Sequence, residues 1–551
     1  MNEPRPINAA TIAEAERVLG VDYSDAERLQ MVDNIAGQIE LALKRRATPL
    51  PQGSAPATRF DPRLPGWKPI DGEIFRPGDG PSPPFPASDA DIAFAPVTQL
   101  ARWIRNGELS SLRLTEIYLE RIARLGEKLK CIAVATPELA RTQARRADKL
   151  IADGIYLGPL HGIPWGAKDL LDTSGIATGW GAEPYRGRVP GSDATVVKKL
   201  AEAGAVLVAK TTLGALAYGD IWYEGRTRNP WNLDEGSSGS SAGSGSATAA
   251  GLVGFSIGTE TLGSIVAPSI RCGTTGLRPT FGRVSRVGAM ALCWSLDKIG
   301  PMCRTVEDTA LVMAAINGFD EEDPSSIAAP FGFDASLPIK GLRLGYFPKD
   351  LALPEADELD RAAIESARRL GLDLVPLERP DLPYDALMNV LFAEAAAAFE
   401  ELTLENRDDE LAWQEPGSWP NTFRKARFLS AVDHIQLDRL RRRVMQDMDA
   451  AFGKVDAMIG PCLAGPMLTI TNFTGHPSLV MRSGFRQSET RGPLSLARAR
   501  IEQGAPTKGP TFTVPHAICL YGRLFDEGTI LRIGKALEKE FAVWDRRPPL
   551  A

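Results

Sequence analysis

Residues Asn229 to Thr280, NPWNLDEGSSGSSAGSGSATAAGLVGFSIGTETLGSIVAPSIRCGTTGLRPT, decide how the rest of the chain is read. The centre, EGSSGSSAGSG from Glu235 to Gly245, has the composition of a flexible linker. Yet the segments on both sides are apolar enough to be folded core, and a floppy tether between core elements is physically implausible. Bare backbone is therefore needed there for a structural or chemical reason. A phosphate-binding loop would need G-x-x-x-x-G-K-[ST], and the run has no lysine. A dinucleotide fingerprint fails because Thr248 stands where its third glycine should be. Gly239 to Gly243, GSSAG, matches a nucleophile elbow centred on Ser241, but the preceding NPWNLDEGSS reads as no strand. The elbow also needs a later histidine, which leaves His434, His476 and His516 of the four in the chain. It is rejected.

Outward from this centre, helical patterns alternate with short β-branched runs. Asp193 to Ala203 precedes AVLVAK, Glu355 to Gly371 precedes LDLVPLE, and Leu440 to Phe452 is followed by VDAMIGP. Such alternation predicts an α/β architecture with a largely buried sheet. At the N-terminus, Ser24 with Glu27 forms a capping-box pattern, and Leu29, Val32, Ala36, Ile39 and Leu43 make an apolar stripe at helical spacing. The stripe predicts packing against something: the cleft, the body or a second copy in a homodimer. From Pro51 to Pro86 prolines and glycines recur too often for helix or strand. The division expected is a helical extension over 1–50, a proline-rich arm over 51–87 and a catalytic body over 88–551. Trp413 and Trp419 flank a Pro-Gly break and read first as core aromatics, second as pocket lining.

Of 551 residues, 44% are hydrophobic and 24% charged, which is ordinary globular composition. The net charge of -6 carries no electrostatic footprint for nucleic acid or anionic membrane, so neither is expected as a partner. Six scattered cysteines lack C-x-x-C spacing and four isolated histidines lack ligand spacing, so no metal is expected. The start shows no basic and then apolar secretory pattern, which predicts a cytoplasmic protein. Ser246 to Ile270 is interrupted by Glu260 and rich in Gly, Ser and Thr, so it is no lipid-spanning helix.

The Asn229 to Thr280 stretch resembles the signature region of the amidase signature family. HGIPWGAKD (His161 to Asp169) resembles that family's lysine motif, SLDKIGPMCRTVEDTA (Ser295 to Ala310) a downstream structural motif, and TNFTGHPS (Thr471 to Ser478) its C-terminal part. The resemblance runs from about Ile92 to Phe541 and is weaker between Pro330 and Val455. It implies a mixed twisted β-sheet covered by α-helices on both faces. It places the catalytic lysine at Lys168, the bridging serine at Ser240 and the nucleophile at Ser264. It further implies an oxyanion hole from the backbone amides of Thr261, Leu262, Gly263 and Ser264, a cis peptide before Ser240, a small-molecule amide substrate and no cofactor. Two departures bear on substrate class: Leu262 where many members have glycine, and Val266 where arginine is common.

The chemistry is coherent. Amide hydrolysis needs a proton acceptor for the nucleophile, a proton donor for the leaving amine and donors for the oxyanion. A lysine serves without histidine if burial keeps it neutral, a drop of roughly three units from about 10.4. Read singly, a lysine in an apolar setting snorkels to solvent and serines in a serine-rich loop satisfy backbone groups; the joint order assigns the roles. Ser241, Ser244 and Thr259 are read as loop hydrogen-bonders, Asp169, His161 and His476 as structural, and Tyr218 as a pocket candidate. The reading is an amidase cleaving an amide, anilide or carbamate through an acyl-enzyme. Two alternatives stand beside it. One is the glutaminase subunit of a tRNA-dependent amidotransferase, whose small stabilising subunit the helical head and arm resemble, although the glutamine-recognising residues find no counterpart. The other is an inactive binding protein on the same fold.

Overall fold

The computed structural model describes residues 7–48, 50–69, 72, 74–78, 84–492 and 509–550. Parts of the expected extension (1–6 and 49), arm (70, 71, 73 and 79–83) and body (493–508 and 551) therefore lie outside the described residues. Eleven strands form the main sheet: β1 (Ile132–Ala135), β2 (Pro164–Lys168), β3 (Val206–Thr211), β4 (Phe255–Glu260), β5 (Thr275–Arg278), β6 (Lys298–Cys303), β7 (Arg343–Tyr346), β8 (Asp373–Pro376), β9 (Ala457–Pro461), β10 (Ser478–Ser488) and β11 (Phe512–Gly522). Their spatial order is β8-β7-β9-β11-β10-β5-β6-β4-β2-β3-β1. The sheet is mixed. β2 runs parallel to both β3 and β4, β7 runs parallel to β8 and β9, and the central β4-β6-β5-β10-β11 block is antiparallel.

Every residue of β2, β3, β4 and β6 is buried. Because successive side chains point to opposite faces, continuous burial means that both faces are covered. The covering helices include Ser111–Leu129, whose Leu114, Ile117, Tyr118, Ile122, Leu125 and Leu129 recur at three and four residues and whose N-cap Ser110 accepts from the Arg113 amide. The three alternations read from sequence appear as helix Thr195–Glu202 before β3, helix Glu358–Arg369 before β8 and helix Ala431–Phe452 before β9.

The N-terminal region forms helices Ala9–Leu19 and Asp25–Arg46, the second with the Ser24–Glu27 capping box. Leu29, Ile39 and Leu43 of its apolar stripe are exposed, so neither the cleft nor the body of the same chain covers them. The arm then crosses the body. Phe60 packs edge-on against Phe281, Trp67 against Phe525, and Phe75–Arg76 pairs in parallel with Phe333–Asp334. The elbow reading also needs correction in one detail. Asn232–Gly236 is a strand, but it pairs with Arg228–Asn229 in a ladder of its own, apart from the main sheet.

A buried ion pair ties the signature region to the C-terminal part. Arg278 and Glu260 meet at 2.8 Å with both side chains excluded from solvent, and Arg278 also donates to Thr471 Oγ1 and the His476 carbonyl, each at 2.9 Å. Breaking a buried pair leaves one charge uncompensated, which typically costs about 3–5 kcal/mol. Arg278→Met is expected to lower unfolding stability by about that amount, read as a shift in the urea midpoint.

Candidate active site

Lys168 is the last residue of β2, and β4 ends beside it at Thr259 and Glu260. The site thus sits outside the carboxyl ends of two adjacent parallel strands, a recurrent position for ligands in α/β sheets. Helix Ala242–Ala249 begins just after Ser240 and Ser241, and the 261–264 loop follows β4 directly into helix Val266–Cys272. The glycines are explained by close approach. A Cβ on Gly239 would lie 1.8 Å from the Gly219 carbonyl oxygen, and one on Gly243 would lie 2.3 Å from that of Cys131. The Gly239–Ser240 peptide is cis.

Lys168 is completely buried. Its Nζ lies 2.8 Å from Ser240 Oγ, 3.0 Å from Ser241 Oγ, 2.8 Å from Thr259 Oγ1 and 3.4 Å from the Thr259 carbonyl oxygen. Burial holds its pKa well below that of an ordinary lysine, against the opposing pull of Asp297 and Glu260 at longer range. The hydrogen-bond inventory fits a neutral amine. Ser241 Oγ donates to the Thr259 carbonyl at 3.0 Å and accepts from the Thr259 amide at 3.1 Å, so toward Lys168 it acts as an acceptor. The two N–H groups of a neutral amine can then go to Ser241 and Thr259, leaving the nitrogen lone pair for the Ser240 hydroxyl. Asp169 points elsewhere, accepting from the Gly179 amide at 3.0 Å and lying 3.5 Å from the Lys210 ammonium.

Ser264 is 7% exposed against 1% for Ser240, so the more accessible hydroxyl is the one at the loop. Its carbonyl accepts from the Ser241 amide at 3.1 Å, which locks the two segments together. The Ser264 hydroxyl makes no hydrogen bond among the described residues, so the structure joins Ser240 to Lys168 directly but leaves the Ser240–Ser264 link open. Such contacts often close only when substrate is bound. The amides of Leu262, Gly263 and Ser264 likewise have no acceptor among the described residues, whereas those of Ile265 and Val266 both donate to Glu260 Oε2 at 2.8 and 2.9 Å.

The left-handed conformation of this loop falls on Gly263, at φ +80°, which leaves Leu262 in a conformation open to any residue with its side chain buried. Glu260 also accepts from Asn472 Nδ2 at 2.9 Å. Burial pushes Glu260 up, but Arg278 and the Val266 amide outweigh it and hold the carboxyl at about 2. Thr261 Oγ1 donates to Asp297 at 2.6 Å, and Asp297 in turn accepts from the Leu292 and Cys293 amides.

Sequence alone does not single out Thr259, Glu260, Arg278 and Asp297 as site residues, because their partners lie far away in the chain; Asp297 does fall inside the SLDKIGPM motif. The lesser candidates make the following contacts. Tyr218 stacks on Trp413 at 5.1 Å and meets Trp419 at 5.0 Å, which makes a local aromatic cluster. His161 lies 2.9 Å from the Ala147 carbonyl, and burial lowers His476 to about 3.

A cavity of about 200 Å³ reaches this machinery. Thr259 and Thr261 line it, with Leu170, Met290, Leu292 and Trp294 among its apolar walls. All six cysteines are buried and free. Among the described residues no helix is long and apolar enough to cross a membrane.

Comparison with known proteins settles the family. The family model described as Amidase matches residues 113–531. The chain belongs to the amidase signature family. The A subunit of the glutamyl-tRNA(Gln) amidotransferase of Roseiflexus castenholzii is 35% identical over 82% of this chain and 97% of its own length. The native peptide amidase of Stenotrophomonas maltophilia superposes with a TM-score of 0.70 at 28% identity, covering 83% of this chain and 98% of that one. The A subunit of the same amidotransferase from Thermotoga maritima, at 24% identity and a TM-score of 0.64 over 82% of this chain and 95% of that one, shares the fold.

These relatives correct one expectation. Net charge argues against a nucleic-acid partner, but relatives covering most of the chain carry the name of an enzyme acting on glutamyl-tRNA. Net charge sums the whole chain, and one component of an assembly need not itself carry the phosphate-contacting surface, so the sum does not decide the point.

The burial of Lys168 has a direct spectroscopic consequence. In ¹⁵N-lysine NMR, one amine that disappears in Lys168→Met is expected to be neutral at pH values where exposed lysines, titrating near about 10.4, remain protonated.

Proposed function

We propose that this amidase-family chain is a serine amidase in which Ser264 is the nucleophile, Ser240 the proton relay and neutral Lys168 the base. The observation that carries the reading is the buried Lys168 amine 2.8 Å from Ser240 Oγ, surrounded by hydroxyls. As Ser264 Oγ attacks the amide carbonyl carbon, its proton passes to Ser240 Oγ while the Ser240 proton passes to Lys168 Nζ. The tetrahedral oxyanion is held by the amides of Thr261, Leu262, Gly263 and Ser264. The lysine ammonium then returns a proton through Ser240 to the leaving nitrogen, the C–N bond breaks, and an acyl-Ser264 ester remains. Water attacks that ester by the same relay in reverse. The three N–H groups of the transient ammonium find acceptors in Ser240, Ser241 and Thr259, so its charge is stabilised without a carboxylate that would retain the proton.

The named relatives favour a second reading, in which the same site belongs to the A subunit of a glutamyl-tRNA(Gln) amidotransferase and the amide is that of glutamine. The cavity supports the first. A free amino acid brings an ammonium and a carboxylate, but of the cations in the cavity wall Arg286 is already paired with Asp323 and Lys298 already donates to the Leu296 carbonyl, and of the carboxylates Asp297 already accepts from Thr261 and two amides, which leaves the exposed Glu322. The apolar walls suit a neutral substituent better.

A panel of aryl amides, alkyl amides, carbamates and glutamine separates the readings. The wild type is expected to cleave amides with apolar substituents. Ser264→Ala is expected to lower kcat/KM by at least about 10⁴-fold, and Lys168→Ala by about 10² to 10⁴-fold with the greatest loss near neutral pH. Because the neutral amine is the working form, kcat/KM should fall as pH drops through the Lys168 pKa. Cleavage of glutamine alone, and only with partner subunits present, would establish the second reading; full activity in Ser264→Ala would dismiss both.

A further inference from the structure

The N-terminal arm reaches the cavity beside the catalytic residues. Gly53 and Ala55 line it together with Thr259 and Thr261. The arm is fixed to two other parts of the same cavity wall. On one side the Gln52 carboxamide donates to the Ala291 carbonyl and accepts from the Ala291 amide, matching both backbone groups of a lining residue. On the other, the Arg59 guanidinium donates to the carbonyl of Pro324, also a lining residue. Beyond that point Phe60 is clamped between Phe281 and the Arg441 guanidinium, which sits 3.5 Å from its ring centre. Gln52 to Arg59 is eight residues, seven Cα–Cα steps, which can reach about 25 Å when extended, ample to bridge a cavity of this size.

We infer that the 52–55 segment of the arm is a specificity-determining wall of the substrate pocket, selecting amides whose acyl substituent is neutral and apolar and limiting its length. The inference rests on the proposed amidase reading and deepens it. The chemistry follows from the lining: Leu170, Met290, Leu292 and Trp294 offer apolar surface, and a substituent entering from Thr261 meets the arm at Gly53 and Ala55. Glycine at 53 leaves room there. A Cβ built on Gly53 meets no heavy atom within 4 Å, so a larger side chain can be introduced without a collision at its base.

Two experiments on the full chain test the wall. In the first, Gly53→Trp is compared with wild type on acetamide, hexanamide and phenylacetamide. The ratio of kcat/KM for the two larger amides to that for acetamide is expected to fall at least about tenfold, mainly through KM, since pocket contacts of this kind are worth about that much. An unchanged ratio would overturn the inference. The second does not depend on turnover. All six native cysteines are buried, so Gly53→Cys supplies the reactive thiol. In a Ser264→Ala background, phenylacetamide is expected to slow its modification by N-ethylmaleimide, and modification at an unchanged rate would remove position 53 from the pocket. Failure of the amidase reading itself would look different: none of the three amides cleaved by wild type, with protection of the thiol retained.

Discussion

The site depends on one imbalance: burying the Lys168 amine disfavours its charge more than the surrounding groups restore it. The groups within hydrogen-bond distance are hydroxyls and one carbonyl, and the two carboxylates that oppose the shift, Asp297 and Glu260, act only through space. Both are otherwise engaged. Glu260 is neutralised by Arg278, and Asp297 is occupied by Thr261 and two backbone amides. Were either carboxylate to reach Nζ, the lysine would form an ion pair and hold its proton.

The fold serves this imbalance in concrete ways. Parallel strands β2 and β4 deliver Lys168 and Thr259 to the same end of the sheet, both faces of which are covered. Glu260, one residue further along, turns its carboxylate back to hold the amides of Ile265 and Val266, which shapes the loop while leaving those of Leu262 to Ser264 open. Arg278 anchors that carboxylate to the distant Thr471–His476 segment. One charge network thus fixes the loop geometry, ties in the C-terminal part of the chain and keeps a negative charge away from the lysine.

Much of this was legible in the sequence, for reasons that are local. The alternation of helical and β-branched segments gave the α/β class, since burial on both faces leaves continuous apolar runs. The glycine-rich stretch announced close backbone approach, and Gly239 and Gly243 are where another backbone comes nearest. Lys168, Ser240 and Ser264 could be proposed because each sits in a contiguous motif, and the structure places Lys168 Nζ 2.8 Å from Ser240 Oγ. Hidden were relations between positions remote in sequence: Ser241 and Thr259 as partners of the lysine, Glu260 with Arg278, and the arm at the cavity. The open stripe of Leu29, Ile39 and Leu43 shows the converse limit, because periodicity marks an apolar face without saying whether the same chain covers it.

The proposed chemistry requires that Lys168 set the reactivity of Ser264. The most direct measurement is the rate at which a fluorophosphonate phosphonylates the protein across pH, with loss of fluoride, followed by intact mass and peptide mapping, in wild type and Lys168→Ala. The account predicts a single adduct on Ser264, with a rate that rises with pH through one ionisation and loses that ionisation in Lys168→Ala. An adduct on another residue, or the same pH dependence without the lysine, would contradict it.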